Sequence, residues 1–558
     1  MNLLNYNIAE RHLPKQHHRL MFLSIVVTLS WISSFNTVKT IYSLTSVDTT
    51  TTVTVSNSGP VFSVDPGEDS ASTGSAPTNV DSNVTFKANA TDVNGDQFYL
   101  AICRTNSITA NNNAAPTCAT NQTLCVSSAV NSAAQASCNY RALTGDTETV
   151  AWYGFACDHS SGSACTSASQ GSSDSGSPFN VNHNPTFTSI APGSAVDPGQ
   201  DMDFDAVAQD DDVDTVQDTV HLIVCSSAGA STSGCTNPAN QLCASSNVTS
   251  DPSCSYSTPG VFAAGNHNYY PYIFDQHGLG ATTNPRNGTY SINNKTPSLS
   301  NLTLNSGNPI NLTVSTTTSV VFTFTASDVN GYGTISSYFG KLYRTAVGVG
   351  AADNANEHYT LASCNISNQS GATADYSCSF NVQYHADPTD VANTQYYSDT
   401  WTATASVTDS GSLNASSSAT PVELNSLLGI GIDSDIDFGN LAQGTDTGAV
   451  NELTQVSAQG NTGLNSYVQG IDMSDGLGHT IAKAYQKYSD AAFTYSSGGT
   501  VLTGSDVFLD LRVVKTTTTA TPAYKSVYWG IAIPTGIPAG NYTGLNTLTG
   551  EVSSESYW

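Results

Sequence analysis

The stretch VTFKANATDVNGDQFYLAIC, residues 84–103, decides the fold, because it returns twice further along the chain. It recurs as MDFDAVAQDDDVDTVQDTVHLIVC and as VVFTFTASDVNGYGTISSYFGKLY, and its central acid, in steps of 118 residues, is Asp92, Asp210 and Asp328. A period of that size indicates whole domains repeated in tandem. Within each copy an alternating apolar and polar run leads into a polar turn and a second apolar run. This pattern predicts a half-buried strand, a turn and another strand.

Two other features recur with the same order in each repeat. Short polar corners that carry a Pro, FNVNHNPTF and YSINNKTPSL, separate the repeats, and Pro there blocks continuation of a strand ladder. A later alternating strand ends at Asp158, Asp275 and Asp409. Short strands, frequent turns and a repeat length of about 110 to 130 residues predict immunoglobulin-like β-sandwiches. The expected repeats, which should stack as a semi-rigid rod because their linkers are short, are 58–182, 183–293 and 294–424.

The motif ANATDVNGD at 88–96 resembles the tandem Ig-like, PKD-like and cadherin-like repeats of bacterial surface proteins, including uncharacterised surface proteins of uncultured lineages. The resemblance covers roughly residues 58–424. It implies β-sandwich domains and a surface location. The chain departs from those repeats in its cysteine content, since such repeats are usually poor in cysteine.

The composition narrows the classes of function. The net charge is −28 with only 16 Lys and Arg, which excludes nucleic acid as an expected partner because phosphate binding needs clustered cations. No P-loop, G-x-S-x-G or H-E-x-x-H motif occurs, and the eleven His are scattered along the chain. We therefore expect a protein that is not an enzyme.

Residues 1–35 are expected to be a signal peptide or signal anchor. This segment is predicted to be a helix, and the only other predicted helix is a short one near the C-terminus. Arg11, Lys15 and Arg19 precede an apolar run of 16 residues, 20–35, which is short for a membrane span of about 20 residues. If it is not cleaved, this segment anchors the protein in the membrane. Everything after it is expected to be exported, to the cell surface or beyond. Residues 36–57, rich in Thr and Ser, are expected to form a stalk.

Twelve cysteines support export, because disulfides persist in oxidising compartments. Four cysteines in a repeat allow three connectivities, but the third repeat keeps only two, and Tyr343 stands where the first cysteine of the other repeats stood. The first two cysteines of the other repeats are both absent from the third repeat, so they are expected to bond each other. The comparison predicts the pairs Cys103–Cys118, Cys125–Cys138, Cys225–Cys235, Cys243–Cys254 and Cys364–Cys378, and it leaves Cys157–Cys165 to pair with each other.

Residues 425–558 are expected to form a separate β-sandwich. We predict a strand and a Gly-bearing turn at 436–448, a strand at 507–515, and a strand, a Pro/Gly turn and a closing strand at 526–544. A short amphipathic helix is expected at 479–491. Two functions fit this organisation. The first is a non-enzymatic surface rod, structural or adhesive, whose partners are other surface proteins or envelope or host glycans. The second is a secreted hydrolase whose active site lies in 425–558, in a pocket of clustered acid and base groups, with the repeats as spacers.

An acidic cluster gives the one candidate metal site. Nine Asp lie between Asp197 and Asp218, and no Lys or Arg occurs between Arg141 and Arg286. Oxygen-rich surface without cations is what Ca²⁺ selects, although an acidic protein has acidic strands without any ion. In immunoglobulin topology the two recurrent Asp turns lie at one pole, beside the preceding domain. We therefore predict a Ca²⁺ site that stiffens the second repeat's joint, with the ligands Asp210, Asp212, Asp214 and Asp275.

Overall fold

The computed structural model describes residues 50–213 and 217–558, and Asn57–Trp558 forms one compact unit. In the described residues the regular elements are β-strands and single turns of 3-10 helix, and none is an α-helix. The all-β prediction is therefore confirmed. The expected signal segment and Asp214 lie outside the described residues. In the part of the chain that the structure covers, no helix has the length and apolar character needed to cross a membrane.

The first repeat is a sandwich with an additional small sheet and a hairpin. Its strands are β1 (Val61–Glu68), β2 (Thr78–Asn79), β3 (Asn83–Thr91), β4 (Phe98–Cys103), β5 (Ile108–Asn111), β6 (Ala114–Cys118), β7 (Thr123–Val126), β8 (Gln135–Arg141), β9 (Thr149–Val150), β10 (Tyr153–Asp158) and β11 (Phe179–Asn182). The order β1–β3–β8 packs against β10–β4–β7, while β2–β11–β9 and β5–β6 form separate sheets. β3 alternates as predicted, and its inward Phe86 packs edge-on against Trp152, with ring centroids 5.1 Å apart.

The second repeat keeps this plan with fewer strands. They are β12 (Thr186–Pro192), β13 (Asp201–Gln209), β14 (Val220–Cys225), β15 (Ala230–Ser231), β16 (Gly234–Cys235), β17 (Gln241–Ala244), β18 (Ser253–Ser257), β19 (Gly265–Asp275) and β20 (Gly288–Ile292). The sheet β12–β13–β18 packs against β17–β14–β19–β20, and β15–β16 form a hairpin. β13 buries every second residue and turns its Asp residues outward, which explains how so acidic a strand is accommodated.

The third repeat has two four-stranded sheets. The strands are β21 (Ser298–Leu304), β22 (Thr318–Ser327), β23 (Ile335–Arg344), β24 (His358–Leu361), β25 (Asn365–Ser370), β26 (Thr373–Val382), β27 (Trp401–Asp409) and β28 (Asn414–Ser418). The sheets have the orders β21–β22–β26–β25 and β24–β23–β27–β28. The two faces of β27 differ in chemistry. Trp401, Ala403 and Val407 fill the core, while Thr402 and Thr404, also buried, hydrogen-bond to neighbouring strands.

The C-terminal domain is a sandwich of five and three strands with an added hairpin. Its strands are β29 (Ile430–Ile432), β30 (Glu452–Ala458), β31 (Leu464–Gly470), β32 (Met473–Ser474), β33 (Thr480–Ile481), β34 (Gln486–Ser489), β35 (Thr500–Val501), β36 (Val507–Val513), β37 (Tyr524–Ile531) and β38 (Asn546–Val552). The order β29–β30–β37–β34–β35 packs against β36–β31–β38 around Trp529, and β32–β33 pair separately. Throughout the described residues the 3-10 turns are Ser173–Ser175, Pro238–Asn240, Asn305–Gly307, Tyr332–Thr334, Lys483–Tyr485 and Glu555–Tyr557.

Three predictions for this domain are wrong in detail. The segment 479–491 is not a helix, because it consists of β33, a 3-10 turn and β34, which pairs with β37 and buries Tyr488 against Trp529. Apolar spacing over so few residues does not separate a helix from a strand, and here tertiary pairing decides. The segment 436–448 contains no strand, although Ile436 and Phe438 pack on the core. The closing strand follows 526–544 as β38 instead of lying within it.

Six disulfides use all twelve cysteines, and each joins a pair named above from the repeat comparison. Their sequence separations run from 8 residues in Cys157–Cys165 to 15 residues in Cys103–Cys118. The Cys103–Cys118 bridge lies over the outer face of β4, where Phe155 and Ile108 complete a small second cluster. This cover explains why β4 is buried on both faces, unlike β3.

Candidate functional site at the repeat joints

Each repeat begins with a linker that is fixed to two turns of the same repeat. The first turn follows β3, β13 or β22 and starts at the recurrent Asp. In all three copies a carboxylate oxygen of that Asp accepts the backbone N–H of the residue two positions later, at 2.7, 3.0 and 2.8 Å, in the pairs Asp92–Asn94, Asp210–Asp212 and Asp328–Asn330. This is an Asx turn, which Asp forms because its short side chain can reach that N–H.

The second turn follows β10, β19 or β27 and is organised by another buried Asp. Each of the three Asp residues is at most 2% exposed, and its carboxylate accepts hydrogen bonds from backbone N–H groups of its own turn. The bonds are Ala164 to Asp158 at 3.0 Å, Leu279 to Asp275 at 2.8 Å and Leu413 to Asp409 at 2.8 Å. In each turn Oδ1 of the Asp accepts hydrogen bonds from the main chain, and Oδ2 faces the linker.

The linker reaches this second oxygen with an Asn side chain. In each repeat an Asn amide donates to the buried Asp, in the pairs Asn57–Asp158, Asn182–Asp275 at 3.0 Å and Asn294–Asp409 at 2.8 Å. The next residue donates its backbone N–H to the first turn, in the pairs Ser58–Asn94 at 3.0 Å, His183–Asp212 at 2.6 Å and Lys295–Asn330 at 2.7 Å. Two adjacent linker residues therefore hold both turns at the start of each of the three repeats. Hydrogen bonds to a charged group, here the four that Asp carboxylates accept, contribute about 1.5 to 3 kcal/mol each.

The sequence patterns did not single out these Asn residues. A signal was present, because each lies one or two residues after the last apolar residue before the linker. Both recurrent Asp turns were predicted to lie at one pole beside the preceding domain, and the structure brings them together through the linker. What the sequence pattern lacked was the donor that joins them.

The second joint carries more negative charge than the other two, because Asp212 stands where the first and third repeats have Asn94 and Asn330. Asp210 is 1% exposed, and its Oδ2 has no hydrogen-bond partner among the described residues. Burial, with added repulsion from the Asp212 and Asp275 carboxylates, raises the pKa of Asp210 to about 7. Burial also raises the pKa of Asp275.

The predicted calcium ligands are only partly assembled. Asp210, Asp212 and Asp275 are all buried at the second joint, and Asp214 lies outside the described residues. Among the residues that the structure describes, no group of three or more His, Cys, Asp or Glu side chains is placed to hold a metal ion. The nearest donors to these carboxylates are N–H groups, including the His183 ring, whose Nδ1 lies 3.0 Å from Asp212. The calcium site therefore stays a prediction.

The joint between the third repeat and the C-terminal domain has a different chemistry. Arg344 contacts Glu357 at 2.8 Å, Asp387 at 3.3 Å and Asp399 at 2.7 Å. Lys515, from the C-terminal domain, lies 2.9 Å from the other oxygen of Asp387. Asp387, Asp399 and Lys515 are buried, whereas Arg344 and Glu357 are partly exposed. A buried charge is tolerated only when it is paired in this way.

The C-terminal domain also contains a cavity of about 960 Å³ between residues 432–443 and 537–548. Its lining is rich in Ile and includes the buried Thr454 and the carboxylates of Asp435 and Asp437, which are both exposed. The lining has no His, Cys, Lys or Arg, so it offers no nucleophile with an adjacent base of the kind used in serine or cysteine hydrolases. The size is that of a small-molecule site.

The fold defines this chain as a tandem array of immunoglobulin-like β-sandwich domains. No protein-family model matches the chain. A search of curated proteins likewise finds no match.

Solved structures of similar fold are fibronectin III and Ig-like domains. The fibronectin(III)-like modules of Clostridium thermocellum CbhA are 11% identical over 41% of this chain and 94% of theirs, with a TM-score of 0.19. The FN1–FN3 domains of chicken CNTN1 are 9% identical over 66% and 99%, with a TM-score of 0.18. The Yersinia pseudotuberculosis adhesin InvE is 11% identical over 48% and 66%, with a TM-score of 0.22. Scores this low carry no argument about function.

Proposed function

We propose that this protein is a non-enzymatic extracellular rod with a structural or adhesive role. The observation that carries the proposal is the joint, which repeats the same two linker contacts at Asn57, Asn182 and Asn294. Ig-like repeats that are stapled by six disulfides fit such a role outside the cell. A rod that keeps a fixed distance between its two ends needs domains that resist unfolding and joints that resist bending. The disulfides and the repeated linker contacts of this chain supply these two properties.

The joint contacts are suited to limiting bending. An amide and a backbone N–H on adjacent residues grip two different turns, so a rotation of the linker about either bond stretches the other. The carboxylates are buried, and a buried acceptor that loses its donor is costly to leave unpaired, at about 1 to 3 kcal/mol. Each joint therefore has one strongly preferred geometry.

We further propose that the protein acts at the cell surface, with other surface proteins or with envelope or host glycans as partners. Its acidity and its disulfides support this location. The cavity of the C-terminal domain, with mixed polar and apolar walls and two exposed carboxylates at residues 435 and 437, suits a neutral or cationic partner group better than an anion. Calcium at the second joint belongs to the same proposal, because Asp210, Asp212 and Asp275 are all buried there and Oδ2 of Asp210 has no hydrogen-bond partner among the described residues.

Small-angle scattering of the exported protein tests the rod directly. We expect an extended particle whose maximum dimension falls when Asn182 and Asn294 are both replaced by Ala, because two joints lose a contact. The control is Asn268→Ala, at an exposed position of β19, which should leave the scattering unchanged. A compact particle, or a double variant with the scattering of the wild type, would contradict the proposal. Turnover of a polysaccharide or peptide that Asp435→Asn or Asp437→Asn abolishes would favour the hydrolase instead.

A further inference from the structure

The amine of Lys515 lies at the centre of the joint between the third repeat and the C-terminal domain. The residue is 6% exposed, and its Nζ is 2.9 Å from Oδ1 of Asp387 and 3.3 Å from Oδ1 of Asn356. Asp387 and Asn356 belong to the third repeat, whereas Lys515 follows β36 of the C-terminal domain. A nucleophilic amine, a carboxylate and a carboxamide from two domains therefore meet at one point.

The Asn356 amide is fixed in a single orientation by its neighbours. Its oxygen is 3.0 Å from Nδ1 of His385 as well as 3.3 Å from Lys515, and both of these atoms can donate a hydrogen. Its nitrogen donates to Oδ1 of Asn354 and to the backbone oxygen of Thr517, each at 3.0 Å. The carbonyl is thus polarised by donors on the side from which the amine approaches, and the amide nitrogen points away from the amine.

The main chain fixes the two reacting elements against each other. The backbone N–H of Asp387 donates to the backbone oxygen of Asn356 at 2.8 Å, and the indole of Trp401 donates to the backbone oxygen of Asp387 at 2.9 Å. Arg344 occupies the outer carboxylate oxygen of Asp387 and leaves Oδ1 to Lys515. This is the preorganisation that a reaction between side chains needs, because the entropy of bringing them together has already been lost on folding.

The protonation states favour reaction in the same direction. Burial lowers the pKa of Lys515 and so favours the neutral amine, which is the nucleophilic form. Burial raises the pKa of Asp387, which makes this carboxylate a better proton acceptor. Burial, with the nearby charge of Lys515, lowers the pKa of His385 to about 4. The imidazole is therefore neutral, and since Nδ1 faces an amide oxygen, it is Nδ1 that carries the hydrogen.

We propose that Lys515 and Asn356 form an intramolecular isopeptide bond that covalently joins the third repeat to the C-terminal domain. Asp387 takes a proton from the Lys515 ammonium, and the free amine attacks Cγ of Asn356. The N–H of His385 stabilises the oxygen of the tetrahedral adduct, as an oxyanion hole does. Asp387 returns the proton to the amide nitrogen and takes the second proton from the attacking nitrogen, the bond from Cγ to Nδ2 breaks, and ammonia leaves. An amine and a primary amide become a secondary amide and ammonia, with no oxidant and no cofactor.

An alternative is a plain buried ion pair between Lys515 and Asp387. An ion pair accounts for the 2.9 Å contact, but it does not require an amide carbonyl on the same amine or a neutral imidazole on the same oxygen. The isopeptide bond also removes the desolvation cost of holding an ammonium group in the interior.

Mass spectrometry of the exported, full-length protein decides between these two outcomes. We expect an intact mass below that calculated for the mature chain, with its N-terminus determined and the six disulfides accounted for, by one molecule of ammonia. We also expect a branched tryptic peptide that carries both Asn356 and Lys515. The full sequence mass in mature protein, with both residues in separate linear peptides, would overturn the proposal. A branch from Lys515 to Asp387 with the loss of water instead would overturn the assignment of Asn356 as the acceptor.

Three variants separate chemistry from folding. Lys515→Arg keeps the charge and Asp387→Asn keeps the shape, and both should restore the full mass in protein whose disulfides are intact. Lys525→Arg, at an exposed position of β37, should keep the ammonia loss and serves as the control. If Asp387→Asn folds and still loses ammonia, Asp387 does not carry the proton and the proposed mechanism is wrong.

Discussion

Replacing Asp210 by Asn should stabilise the second repeat at neutral and alkaline pH, although it removes a charge from a hydrogen-bonded turn. The carboxylate is 1% exposed, one of its oxygens has no partner among the described residues, and the neighbouring carboxylates repel it. An Asn at this position keeps an oxygen for the N–H of Asp212 at 3.0 Å and so preserves the turn. The substitution removes only the cost of the buried charge.

The size of the effect follows from proton affinity. Burial raises the pKa of Asp210 from 3.8 to about 7, which at about 1.4 kcal/mol per tenfold change in affinity corresponds to about 4 kcal/mol. Screening by nearby solvent reduces such values, so we expect a gain of about 1 to 2 kcal/mol in the free energy of unfolding. In the wild type the folded state binds the proton more tightly than the unfolded state, so stability falls as the pH rises between about 4 and 7. The variant lacks this fall.

Hydrogen exchange of the full exported chain measures this effect locally, on peptides from β13 and β14, with EDTA present and intrinsic rates corrected at each pH. We expect equal protection of wild type and variant near pH 4 and higher protection of the variant at pH 8. Asp205→Asn, on the exposed face of β13, should change nothing at either pH. A variant that is less protected than the wild type at pH 8, or a difference that does not depend on pH, would refute the reasoning.

Three further predictions concern the second joint and the buried Glu68 of the first repeat. Millimolar Ca²⁺ should raise the melting temperature of the wild type but not of Asp210→Asn, and an unchanged wild type in calorimetry would exclude the calcium site. Asn182→Ala should lower the free energy of unfolding by about 1.5 to 3 kcal/mol, because the buried Asp275 loses a donor. Hydrogen exchange in residues 275–281 should become faster in this variant and should not change in the control variant Asn268→Ala. Glu68→Gln should stabilise the first repeat at pH 9, because burial raises the pKa of Glu68 to about 8, and equal protection of β3 in both proteins would contradict this.

Much of the fold could be predicted because the chain contains its own comparison. Three copies of one strand and turn define the repeat, and the joint loss of two cysteines in the third copy selects one connectivity from three. The C-terminal domain occurs once, so nothing corrected the assignment of 479–491 as a helix. Its apolar residues face β37, a strand some 40 residues away in the sequence, and a local pattern cannot identify a partner at that distance.

The residues of the candidate sites likewise divide into those that recur with the repeat and those that occur once. The acids of the joint recur with the repeat and could be found, whereas their Asn partners shift by one position relative to the last apolar residue and escape a fixed spacing. The amine, amide and carboxylate of Lys515, Asn356 and Asp387 are up to 159 residues apart and occur once. Asn356 and Asp387 are neighbours within the third repeat, and only the packing of two domains brings Lys515 to them.

The positions of the disulfides indicate where the protein can bend. Every disulfide closes a loop within one repeat, so none of the six crosses a joint. Each contributes about 2 to 4 kcal/mol by restricting the unfolded chain, which makes the repeats harder to unfold without making their linkers stiffer. The joints rely on hydrogen bonds at the repeats and on the Lys515 cluster before the last domain. Because the second joint also holds uncompensated carboxylates, we expect it to loosen first as the pH rises, while a bond from Lys515 to Asn356 would leave the last joint unaffected.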